Sequence, residues 1–145
     1  MTPNYDSWRR SSPRIETESM CWEIVNNHSI GTVAVDLSTM GVRIERPYLG
    51  GATIKETQLE LEIPEIDELM WAKAEATFDT IAQNNSPAGG PMSLVRRTGY
   101  RLVAAANRDL NRLKEYVIEA DRARRKRWYK EARQLVARGA MGITF

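Results

Sequence analysis

The sequence predicts an all-β domain, a six-stranded antiparallel barrel, followed by one long C-terminal helix. Three observations predict it. Short segments between Ile15 and Ala105 alternate apolar and polar residues, the period of strands with one wet and one buried face. Turn-forming clusters separate these segments at short intervals, as in a barrel or sandwich. At Asn107 the texture changes to a 3.6-residue period that reaches Arg138 without a Gly or Pro. A chain of 145 residues, 42% hydrophobic and 28% charged, has room for one globular domain and little else.

Residues 1–15 are polar, carry Pro3 and Pro13, and read as an exposed flexible arm. The barrel is expected over residues 16–106. Its first strand runs from Glu16 to Val25 and stops at the turn-forming Asn26-Asn27-His28-Ser29. Ile30 to Val35 is β-branched and alternating, a second strand. Val42 to Arg46 alternates strictly and is stopped by Pro47; Leu59 to Ile63 does the same before Pro64. Leu69 to Ile81 leads to a breaker cluster, Asn84 to Pro91, and Met92 to Ala105 forms the last strand, with an interruption at Thr98-Gly99.

The helical extension spans residues 107–138, with Asn107 as its N-cap, Gly139 placed to end it, and 139–145 as a tail. Leu110, Leu113, Val117 and Ala120 form a stripe that should cover an open end of the barrel. The stripe fades from Asp121 to Arg127 and resumes at Trp128, Ala132, Leu135 and Val136. That second face needs a cover from its own domain or from another chain. Cys21, Trp22 and Trp71 are expected in the core, and Glu60, Glu62, Glu65, Asp67 and Glu68 on a solvated strand face and turn.

Charge divides the chain. Up to Asn107 there are 10 basic and 14 acidic side chains, net −4; from Arg108 onward there are 11 and 5, net +6. The densest basic stretch, Arg122 to Lys130, can draw nucleic acid, an anionic surface or an acidic partner. Glu115, Glu119 and Asp121 lie at helical pairing distance from it, as on a solvated face. No apolar run is long enough for a membrane span and no signal peptide is evident, so a cytoplasmic location is expected. One cysteine and one histidine, Cys21 and His28, exclude a disulfide framework and a multi-cysteine zinc site. They lack an orienting third group, so neither a catalytic residue nor a metal site is expected.

Two motifs carry chemistry. Arg10 and Arg14, with Arg9 just before, form an RxxxR pattern; Asp36, Ser38 and Gly41 form a DxSxxG pattern at the junction of the second and third strands. Arginine pairs at a spacing of four occur three times among 16 arginines, against about two by chance, so the first pattern alone is uninformative. The second has a chance expectation of about 0.04 and occurs once. Arginines fork onto phosphate oxygens and onto the O6/N7 edge of guanine, and their planes stack on bases. An aspartate accepts from guanine N1 and N2. Ser38 donates and accepts nearby, and Gly41 permits a positive φ or a close approach. A guanine nucleotide with two phosphates satisfies all of these groups. Each has an ordinary structural role as well: Asp36 and Ser38 as turn caps, Gly41 as a turn glycine, the arginines as solvated charges.

On these motifs the sequence resembles the PilZ domain family of bacterial cyclic di-GMP receptors, over roughly Trp8 to Ala120. The resemblance implies a six-stranded barrel in which Arg10 and Arg14 grip the phosphates and a guanine of cyclic di-GMP. It implies that Asp36 and Ser38 contact a guanine and that Gly41 shapes the turn. Arg9 matches a position that in some members accompanies a stacked ligand dimer, and Phe78 falls near an aromatic that stacks on the base. It implies no cofactor beyond that ligand. Partners in the family include flagellar, pilus and polysaccharide-synthesis machinery. Departures are the longer segment from Gln83 to Pro91 and the long basic helix, and the chain reads as a stand-alone member.

The expected function is therefore a non-catalytic cyclic di-GMP receptor, whose ligand orders the arginine-bearing arm over the barrel and changes a partner-binding surface. The alternative is an adaptor of the same fold that does not bind the nucleotide and acts, or self-associates, through the long helix. Nucleic-acid binding through Arg122 to Lys130 ranks last, since only Trp128 and Tyr129 accompany the basic run.

Overall fold

Alternate residues of six strands point into one shared interior. The computed structural model describes residues 13–51, 55–84 and 93–139. Its strands are β1 (Arg14–Val25), β2 (His28–Ser38), β3 (Gly41–Pro47), β4 (Glu56–Glu62), β5 (Leu69–Asn84) and β6 (Ser93–Ala105). The helix α1 (Asn107–Ala137) follows. The strands close into an antiparallel barrel in the order β1-β2-β3-β6-β5-β4, sealed where Cys21 of β1 pairs with Leu61 of β4. The predicted fold class is the observed one.

Local chemistry sets the connections. Asn26 and Asn27 take φ of 50° and 64° between Val25 and His28, a two-residue hairpin turn whose twist matches the strands it joins. Strands run longer than the alternation indicates, because β-bulges restart the pattern: between Glu16 and Ser19, Ala34 and Asp36, and Ala76 and Phe78.

The helix starts one residue earlier than expected. Its cap is Ala106 in extended conformation with no side-chain bond, and Asn107 is already helical, so the Asn107 cap is corrected. Leu110 instead donates its N–H to the Ala106 carbonyl at 3.0 Å. At the far end Gly139 has φ of 66° and donates to the Val136 carbonyl at 3.0 Å.

The interior has an apolar end and a charged end. At the apolar end Ile15, Leu37, Val42, Leu61, Met70 and Leu102 join Leu113 and Val117 of α1, which packs against β1 and β2. At the other, Glu23 is 1% exposed and receives the Tyr100 hydroxyl at 2.6 Å and Arg46 Nε at 3.1 Å. Arg46 Nη2 donates to Thr98 at 3.2 Å, Thr98 to Asp79 at 2.9 Å, and Arg96 forks onto Asp79 with its shortest contact at 2.7 Å. Buried charge is tolerated here because each carboxylate has several donors.

That inward Glu23 corrects the expectation for the tryptophans. Cys21 and Glu23 occupy the inward positions of β1, leaving Trp22 on the outer face and partly exposed; Trp71 is 46% exposed.

Candidate functional site

The β2–β3 hairpin determines the site. β2 ends at Ser38 and β3 starts at Gly41, so Leu37 stands opposite Val42 and Asp36 opposite Arg43. Leu37 and Val42 face the core, which turns Asp36 and Arg43 to the outer surface. The row continues: Arg43 pairs with Gly99 of β6, and Gly99 with Phe78 of β5. Asp36, Arg43, Gly99 and Phe78 thus form one line across four adjacent strands.

Two glycines on this surface are required by close approach. A β-carbon at Gly41 would lie 2.8 Å from the Tyr100 carbonyl oxygen and 3.2 Å from Ser38 Oγ. A β-carbon at Gly99 would lie 2.1 Å from Phe78 Cε1, so the phenyl ring covers the glycine. Phe78 remains 41% exposed over it.

Asp36 is 14% exposed, and its Oδ2 lies 2.5 Å from Arg43 Nη2, the tightest ion pair at the surface of the barrel among the described residues. Ser38 Oγ donates to the Gly41 carbonyl at 3.4 Å, a long bond that leaves the hydroxyl available. Arg14, the first residue of β1, is exposed beside them. Arg14, Asp36, Ser38 and Gly41 line a half-open pocket of about 60 Å³, together with Val42, Arg43, Thr77, Phe78, Gly99 and Tyr100. That volume admits the edge of a base or about two waters. A larger ligand lies mostly on the open surface.

By sequence, no family model and no curated protein matches the chain. By structure there are neighbours. The PilZ domain of YcgR from Escherichia coli, solved with c-di-GMP, superposes with a TM-score of 0.64 at 15% identity, over 84% of this chain and 98% of that one.

The fold is PilZ-like.

The Bacillus subtilis inhibitor of motility, MotI/DgrA, gives a TM-score of 0.61 at 18% identity over 81% of this chain and 53% of that one. Borreliella burgdorferi PlzA, in complex with c-di-GMP, gives 0.55 at 4% identity over 82% and 54%. The chain therefore spans nearly all of the YcgR domain and about half the length of MotI/DgrA and PlzA.

Within this PilZ-like barrel, Arg14, Asp36, Ser38, Gly41 and Phe78, expected from widely spaced parts of the sequence, meet at one pocket. Arg9 and Arg10 lie outside the described residues. Gly41 serves by close approach and not by positive φ. Sequence reasoning missed Arg43 and Gly99. The signal for Arg43 was present, since a two-residue turn at Thr39-Met40 sets it across from Asp36. The nucleophile-and-base pairing of Cys21 with His28 does not form, because Cys21 is buried in the barrel and His28 is exposed at the hairpin. Among the described residues no group of three or more His, Cys, Asp and Glu is placed to hold a metal ion, and no helix is long and apolar enough to cross a membrane.

The helix offers a second surface. From Arg122 to Glu131 every side chain is exposed; Trp128 is 68% exposed and Tyr129 62%. Only Asp121 among its acids is buried, holding Arg124 and Arg125 at 3.0 Å each.

Proposed function

We propose that this chain is a non-catalytic receptor for cyclic di-GMP. One observation carries the reading: Arg14, Asp36, Ser38, Gly41 and Phe78 line a single surface pocket whose groups complement a guanine nucleotide. The PilZ-like fold adds to it, since the YcgR domain and PlzA are both described with c-di-GMP. In this reading Asp36 accepts from the N1 and N2 donors of a guanine, and Ser38 bonds the same base or its ribose phosphate. Phe78 offers a ring face for stacking, and Gly41 keeps the backbone close enough for contact. Arg14, joined by Arg9 and Arg10, neutralises the phosphates. Gathering these arginines onto the ligand fastens the segment ahead of β1 to the barrel. The surface offered to a protein partner changes with it.

Titration of cyclic di-GMP into the purified chain tests this, beside Arg14→Ala and Asp36→Ala. Wild-type binding that both substitutions weaken at least tenfold supports the receptor. Absence of heat and of thermal stabilisation at saturating nucleotide removes it.

The second reading, an adaptor acting through α1 without the nucleotide, draws on the exposure of Trp128 and Tyr129. It predicts that removing the helix beyond Arg127 abolishes partner association while the titration stays silent.

A further inference from the structure

The geometry points to Arg43 as a specificity-determining residue of the nucleotide site: it neutralises Asp36 in the free protein and reads the acceptor edge of guanine in the complex. The inference rests on the receptor reading of the same pocket and adds to it a group outside both sequence motifs.

Three observations lead there. Arg43 lies directly across from Asp36 and lines the pocket with it. Its Nη2 takes up Asp36 Oδ2 at 2.5 Å, so one of the two oxygens that would receive guanine is already occupied. Its Nε is buried and has no hydrogen-bond partner among the described residues. A guanidinium holds five N–H donors in a rigid fork, and here one buried donor is left without an acceptor among the described residues. The free-state arrangement is therefore incomplete on the arginine side of the pair.

A guanine carries complementary groups for both side chains. Its N1–H and N2–H are donors for the carboxylate, and its O6 and N7 are acceptors that a forked guanidinium fits. O6 is bonded to the carbon next to N1, so an arginine beside the aspartate is positioned for the adjacent part of the same base. Gly99, the next residue in the row, carries no side chain, which lets the Phe78 ring lie over the strand next to Arg43 and line the same pocket.

Adenine reverses both requirements. Its N1 is an acceptor facing a carboxylate, and its N6 amine is a donor facing a guanidinium. Charge works in the same direction: an unpaired Asp36 would repel a ligand with two phosphates, and Arg43 removes that repulsion before the ligand arrives.

The test is calorimetric titration of the full chain with cyclic di-GMP and with cyclic di-AMP, comparing wild type, Arg43→Ala, Arg43→Lys and Asp36→Ala. Thermal unfolding of each without ligand checks that the barrel persists. Arg43→Ala is expected to weaken cyclic di-GMP by about tenfold to a hundredfold and to narrow its preference over cyclic di-AMP. Arg43→Lys, which keeps the charge and loses the fork, should restore part of the affinity and little of the preference. If wild type binds and Arg43→Ala binds equally well or tighter, the pair is an ordinary surface ion pair or a competitor for the site, and the inference fails alone. If wild type binds neither nucleotide, the receptor reading fails and this one with it. Should Arg43→Ala not fold, Arg43→Lys decides: unchanged affinity and unchanged preference overturn the proposal.

Discussion

Phe78 covers Gly99 so closely that a β-carbon at position 99 would stand 2.1 Å from its Cε1 and 2.6 Å from its Cδ1. The glycine is half of a two-residue device: it weakens a strand interior, and the ring laid across it restores the lost packing. Gly99→Ala should push the ring off the strand and destabilise the barrel by about 1–3 kcal/mol. In a Phe78→Ala background the same change should cost much less. Urea denaturation of the four proteins in that cycle measures the difference.

Gly41→Ala meets a different obstacle. Its β-carbon would be 2.8 Å from the Tyr100 carbonyl oxygen, part of a backbone that cannot swing aside. The β3–β6 pairing has to part locally, at a cost of about 1–3 kcal/mol, and the Ser38 hydroxyl moves with it. Stability should fall in denaturant melts, and in the receptor reading nucleotide affinity should fall with it, without loss of any polar group.

The charged end of the barrel makes a third prediction. Glu23→Ala strands the Arg46 guanidinium inside and deprives the Tyr100 hydroxyl of its acceptor. A loss of about 3–5 kcal/mol is expected. Glu23→Leu combined with Arg46→Met should lose less than either single change, since removing both charges leaves neither uncompensated. Chemical denaturation of the single and double variants tests it.

Alkaline pH should find the same interior. Burial pushes the Cys21 thiol up from 9.0 to about 12, with the neighbouring Glu23 charge adding to it. Burial, then the bond to Glu23, raises the Tyr100 phenol above its ordinary 10.0. Both groups keep their protons in the folded chain after an unfolded chain would release them. The stability that Cys21 confers is complete below about pH 9 and is lost as pH rises to about 12, and the Tyr100 share begins to be lost only above pH 10. The slope is at most about 1.4 kcal/mol per pH unit for each group above its own ordinary value. Urea midpoints between pH 8 and 11 should fall accordingly, and iodoacetamide should label Cys21 only on unfolding.

The last prediction concerns the helix. Ending the chain after Arg127 keeps the pairs of Asp121 with Arg124 and Arg125 and removes only exposed or half-exposed side chains among the described residues. The thermal midpoint should stay within about 2 °C of the full chain. A larger drop would mean that the helix end is covered in solution.

Much of this was legible in the sequence where one strand decides for itself. Leu59, Leu61 and Ile63 alternate, and they are core. The motif residues could be collected because Asp36, Ser38 and Gly41 sit within six positions on one hairpin. What escaped depends on partners distant in the chain. Nothing near Glu23 reveals that Arg46 and Tyr100 will meet it, so Trp22 looked like the inward residue of its strand. The bulge between Ala76 and Phe78 resets the alternation of β5 and turns Phe78 outward. Gly99 reads as an interruption until the ring from β5 is seen above it. Asn107 has the chemistry of a cap, but Ala106 holds the extended conformation that a cap needs.

In the receptor reading, the helix that packs on β1 and β2 is a lever with its fulcrum at the strands that carry Arg14, Asp36 and Ser38. From Asp121 to Ala137 it extends about 24 Å past its buried stretch, at 1.5 Å per residue. A tilt of about 10° at the barrel moves its tip by about 4 Å. Arg14, Asp36 and Ser38 stand on the strands that bear the short arm, and Trp128 and Tyr129 ride on the long one. In that reading, displacements too small to alter a barrel contact would be magnified where a partner would feel them.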